Sequence, residues 1–182
     1  MTWKSFHTRG EILRAVISAA DARRDGILPL DVEGVSDSFG DELTLLAALQ
    51  LRWHTRLAGR IERELMHQPL DLEQTVIAAW RATAGELPGI RVVLDHHRDQ
   101  PLDADMAAAM SKASFKEHIL LAIMAGRASV HDSASAAAAA TIGEQIEQAA
   151  RSQAEHVEPA TELSRPAARG GLLDRLKAAL AA

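Results

Sequence analysis

At 182 residues, 47% of them apolar, the chain can bury a core in one domain with an appendage, and disorder throughout is excluded. Twenty Lys and Arg against twenty-five Asp and Glu leave a net charge of −5, so no global positive field draws it to nucleic acid or an anionic membrane. It has no cysteine for a disulfide or thiolate metal site, no signal-peptide core and no apolar run of the ~18 residues a membrane span needs, so the expected location is the cytoplasm.

Helical periodicity predicts a first helix over 8–24, where Ile12, Ala15, Val16, Ala19 and Ala20 recur at three and four residues, with Gly26 to stop it and Trp3 and Phe6 to anchor its start. Residues 27–40 hold Pro29, Gly34 and Gly40 among Ile27, Leu28, Leu30, Val32, Val35 and Phe39, the pattern of an ordered connection packed on the bundle. Asp41 is placed to cap the longest helix, to about His67; Asp71 caps the next, to about Gly85; Pro88 opens a short helix to about Arg98; and Asp103 caps one from Ala104 to about Gly126. The result is an all-α domain of about five helices over 1–127.

Beyond Gly126 a Ser/Ala-rich stretch, 128–158, predicts a helical stalk, with Thr141-Ile142-Gly143-Glu144 as a capping box and Ile142, Ile146, Ala149, Ala150 and Val157 as a thin apolar stripe. Whether 129–158 forms one continuous helix is left open. Residues 159–182 predict a flexible linker and a short amphipathic helix, with Leu172, Leu173, Leu176 and Leu180 on one side and Asp174, Arg175 and Lys177 on the other.

A helical projection places His54 on the apolar face formed by Leu43, Ala47, Leu57, Ala58, Ile61 and Leu65, with Gln50 one turn earlier. His97 follows Ile90, Val93 and Leu94, and His118 lies with Ser114, Leu121 and Ala122, so three helices each bring one imidazole inward. Three such nitrogens would suffice for Zn²⁺ or another divalent ion, with Asp95, His96 and Glu117 to complete or orient the shell. The competing expectation is ordinary core histidines hydrogen-bonded to neighbours. Glu64-Leu65-Met66-His67 has the ExxH form of di-iron bundles but occurs once where two are wanted. Arg52, Arg56, Arg60 and Arg63 form a basic row interrupted by Glu62 and Glu64, better explained as a salt-bridged outer face than as a nucleic-acid surface. Trp53 and Trp80 fall beside the apolar stripes, where large aromatics pack in a core or an oligomer interface.

No stretch carries a catalytic or cofactor motif. The layout points to a non-enzymatic interaction or regulatory protein that engages a protein partner through its surface or its C-terminal segment, with Leu172, Leu173, Leu176 and Leu180 as candidate contacts and self-association left open. The alternative is a helical-bundle metal or small-ligand binder, with a metal-dependent enzyme left open, using His54, His97 and His118. The final Ala-Leu-Ala-Ala resembles the end of the bacterial trans-translation tag, which would imply recognition by an AAA+ unfoldase.

Overall fold

The structure, a computed structural model, describes residues 9–155, with side chains as far as residue 153. The expectations for Trp3 and Phe6, for the linker over 159–171, for Leu172, Leu173, Leu176 and Leu180, and for the terminal Ala-Leu-Ala-Ala lie outside these residues. The described chain is all-α: α1 (Arg9–Arg23), α2 (Val35–Phe39), α3 (Glu42–Leu65), α4 (Leu72–Glu86), α5 (Pro88–Asp99), α6 (Ala104–Met124) and α7 (Ser133–Glu155). No helix among the described residues is long and apolar enough to cross a membrane.

Three aspartates start three of these helices. Asp41, Asp71 and Asp103 stand in extended backbone and accept from the amides of Thr44, Gln74 and Met106 at 2.6, 2.9 and 2.7 Å, satisfying donors that a helix N-terminus leaves free. Helix α5 begins differently. Pro88 occupies its first turn, Leu87 has no side-chain acceptor to offer, and Asp21 of α1 reaches across to accept from the Gly89 amide at 2.7 Å. Backbones meet closely there, since a Cβ on Gly89 would lie 2.3 Å from Ala20 C and Asp21 N.

The connection over 27–40 contains the short helix α2, which buries Val35 and Phe39 together with Leu28 while leaving Ile27 and Leu30 exposed. Helix α3 supplies the centre of the core through Leu45, Leu46, Leu49, Trp53, Leu57 and Ile61, packed against Val76, Ile77 and Trp80 of α4 and Ile90, Val93 and Leu94 of α5.

Helix α7 departs most from expectation. It is one continuous helix that starts at Ser133, eight residues before the predicted capping box, because Asp132 and Ser135 cap it reciprocally: Ser135 N donates to Asp132 Oδ1 at 2.8 Å and Asp132 N to Ser135 Oγ at 3.0 Å. Its small residues are what let it pack. Ala139, Ala140, Gly143, Ile146 and Ala150 are buried against α6 and α4, and a Cβ on Gly143 would stand 1.8 Å from the His118 carbonyl oxygen. The thin apolar stripe is therefore a close-approach face.

Candidate functional site

Two polar assemblies and one groove could carry a function. The first assembly is a charged network inside the bundle. Glu117 of α6, 4% exposed, accepts from both core indoles, Trp53 Nε1 to Oε2 at 3.0 Å and Trp80 Nε1 to Oε1 at 3.2 Å, while the two rings meet edge to face with centroids 5.7 Å apart. Arg91 lies over Trp53 at 4.7 Å and Arg151 over Trp80 at 4.9 Å, enclosing the indole pair between guanidinium planes. Asp95 ties the two arginines together, accepting from Arg91 at 2.8 Å and from Arg151 through both of its oxygens at 2.7 and 3.0 Å.

The second assembly adjoins it. Glu147 of α7 accepts from His118 Nε2 at 2.7 Å and pairs with Arg98 and Arg151. A carboxylate can only accept, so Nε2 of His118 carries the proton. Burial would raise the Glu147 carboxyl, but the His118 hydrogen bond and the charges of Arg151 and Arg91 outweigh it and hold the group well below the usual glutamate range. Burial would likewise lower Arg151, and the Asp95 and Glu147 contacts reverse that.

Arg91, Arg98 and Arg151 thus face Asp95, Glu117 and Glu147, three cations against three anions, and all six carboxylate oxygens have a donor. Each of these oxygens is fixed by a donor of the protein itself. The arrangement fits a structural keystone joining α3 to α7 better than a general base.

The three predicted histidines are not brought together. His97 is buried and donates from Nδ1 to the Val93 carbonyl at 2.8 Å, a helical back-bond; His118 is held by Glu147; and His54 stands half-buried on the wall of a surface groove. Among the described residues no three His, Cys, Asp or Glu side chains are placed to hold a metal ion, and this includes Asp95, His96 and Glu117. The physical reason is rotation of α3. Its buried face is centred on Trp53, not on His54, and one residue along a helix turns a side chain by ~100°. Glu64 and His67 are both exposed at the end of that helix. In the basic row, Arg56 and Arg60 clamp Glu86 of α4, which leaves Arg52 and Arg63 without an ion pair among the described residues.

The groove is what the rotation leaves over. Between α3 and α6 runs a depression of about 390 Å³, lined by Leu43, Leu46, Ala47, Gln50, Leu51 and His54 on one wall and Ala109, Met110, Lys112, Ala113 and Lys116 on the other. From Leu43 to His54 it follows α3 for about 16 Å, three turns. Leu51 on its lip is 67% exposed. Gln50, His54, Lys112 and Lys116 make no side-chain hydrogen bond or ion pair among the described residues, so the groove has an apolar floor and an uncompensated basic side. No family model matches the chain, and neither a curated protein nor a solved structure shows significant similarity to it.

Proposed function

We propose that the chain is a non-enzymatic interaction module whose α3/α6 groove receives an amphipathic helix of a protein partner, apolar toward α3 and acidic along the α6 side. The observation that carries this reading is the pairing of an apolar three-turn groove, with no acidic residue in its lining, with Lys112 and Lys116, one turn apart on α6 and without an ion pair among the described residues. A helix laid between two helices fills such a depression with side chains at i, i+3, i+4 and i+7. Glutamates or aspartates on its flank would meet the two ammonium groups, and Gln50 and His54 offer hydrogen bonds from the α3 wall.

Charge also selects against the chain's own terminal segment, since Leu172 to Leu180 carries Arg175 and Lys177 against the single Asp174 and would bring cations to the lysines. The charged network supplies the rigid scaffold behind the groove, not a reaction centre.

The test uses two fluorescein-labelled model helices of equal length, both with leucines at i, i+3, i+4 and i+7, one flanked by glutamates and one by lysines. Fluorescence anisotropy should show binding of the Glu-flanked helix by the full chain, weaker at high salt, and about tenfold or weaker binding of the Lys-flanked one, equivalent to ~1.4 kcal/mol. Lys112→Glu with Lys116→Glu should reverse that preference, and Leu51→Glu should weaken both. Equal affinity for the two peptides, unchanged by the lysine reversal, would overturn the proposal.

A further inference from the structure

Helix α6 carries a polar site of another kind on its flank toward α7. The flank that lines the α3/α6 groove holds Lys112 and Lys116, whereas the one toward α7 holds Ser111, Ser114 and His118, spaced to fall in line on one side of a helix. Thr141 and Glu144 stand on the facing side of α7, and the depression between the two helices measures about 510 Å³. Ala107, Ala137 and Ala140 give it apolar surface, and Phe115, 41% exposed, also lines it.

What the depression can hold depends on which of its polar groups are already engaged. Arg98 belongs to the lining, but its three nitrogens each face a carboxylate: Asp95 at 3.1 Å, Glu147 at 3.2 Å and Asp99 at 3.5 Å. An incoming anion would meet a cation that carboxylates already neutralise, and Glu144 would repel it. The Thr141 hydroxyl donates to the Ala137 carbonyl at 3.2 Å.

The groups left over are acceptors. His118 donates from Nε2 to Glu147 at 2.7 Å, which in the neutral ring leaves a lone pair on Nδ1. Glu147 is 5% exposed and can only accept, so it fixes the tautomer and orientation of the imidazole from behind. Among the described residues Nδ1 of His118 has no hydrogen-bond partner, Ser111 and Ser114 make no side-chain hydrogen bond, and Glu144 has no ion pair. Two hydroxyls that can accept, one ring nitrogen and one carboxylate therefore share a depression. A primary ammonium group answers all of them, since it brings three N–H donors and the charge opposite to Glu144. The Phe115 ring adds a face for a cation, and the alanines accept a short hydrocarbon body.

We propose that the α6/α7 depression is a binding site for a primary ammonium ligand with a short apolar body, its N–H groups taken by Ser114, His118 Nδ1 and Glu144. The site lies on a different flank of α6 from the partner groove and does not depend on that reading.

The test titrates the full chain, labelled with nitrogen-15, with butylammonium and separately with butyrate, which match in length and differ in the sign of their charge. Butylammonium should give saturable amide shifts at Ser111, Ser114, His118 and Glu144 with a dissociation constant in roughly the millimolar range, and should move the His118 Nδ1 resonance as its lone pair gains a donor. Butyrate should bind there about tenfold more weakly or not at all. Glu144→Gln and Ser114→Ala, both outside the core, should each weaken butylammonium about threefold or more, with an otherwise unchanged amide spectrum to confirm the fold. Equal response to the two ligands, unchanged affinity in Glu144→Gln, or no saturable shift at these residues with butylammonium would each overturn the proposal.

Discussion

Glu117 is the single residue on which the interior most depends, because two indole N–H groups and one guanidinium converge on its carboxylate. Removing one member of a buried pair costs more than the pair itself contributes, since the remaining groups stay desolvated without partners. Glu117→Ala should therefore lower stability by about 3–5 kcal/mol, and Glu117→Gln, which keeps one acceptor, by clearly less. Urea unfolding followed by indole fluorescence measures both. At Glu147 the prediction concerns pH. Its carboxyl is depressed in the folded protein, so the stability it contributes is fully present above the ordinary glutamate value of ~4.3 and is lost as pH falls below it. Urea midpoints should fall steeply on acidification below about pH 4, and Glu147→Gln should be weaker at neutral pH with a flatter acid limb. Part of this was visible in the residue pattern: His97 was expected inside and is buried, whereas Glu117, equally buried, was expected only as a group to complete or orient a metal shell. What the pattern could not give was which atoms meet, because partners such as Trp53 and Glu117 are 64 residues apart and projection of one helix carries no information about another.

At the scale of elements, the caps were legible wherever one side chain satisfies its own helix, as at Asp41, Asp71 and Asp103. Helix α3 was legible in extent but not in rotation. Leu43, Leu45, Leu46, Leu49 and Leu51 make it apolar over more than one face, so periodicity alone does not choose between a core centred on His54 and one centred on Trp53. The surplus leucines are those that line the groove. Helix α7 was obscured for the opposite reason: alanine fits an exposed stalk and a close-packed helix equally, and only the neighbour decides. Two glycines separate these cases experimentally. Gly59→Ala in α3 meets nothing within 4 Å and should raise stability by ~0.5–1 kcal/mol through helix propensity alone, whereas Gly143→Ala drives a methyl into the His118 carbonyl and should lower it despite the same propensity gain. Thermal melts of the two variants read both signs.

For the molecule as a whole, the consequence is that α7 closes the bundle. It contributes Ile146 and Ala150 to the core and Glu147 and Arg151 to the network, so a chain ended at residue 131 should lose its cooperative thermal transition. A chain ended at 157 keeps every one of those contacts and should melt as the full protein does by circular dichroism. The net charge of −5 is a sum over the whole chain and averages away the local basic side of the α3/α6 groove, where Lys112 and Lys116 sit on an acidic protein. That local excess is the basis for the proposed partner, and its location can be tested residue by residue. Amide and methyl spectra of the full chain titrated with the Glu-flanked model helix are the most direct measurement. The account predicts saturable shifts confined to Leu43, Leu46, Leu51, Met110, Lys112 and Lys116, with Leu70 and Leu102 unmoved; shifts absent at these six, or centred elsewhere on the surface, would contradict it.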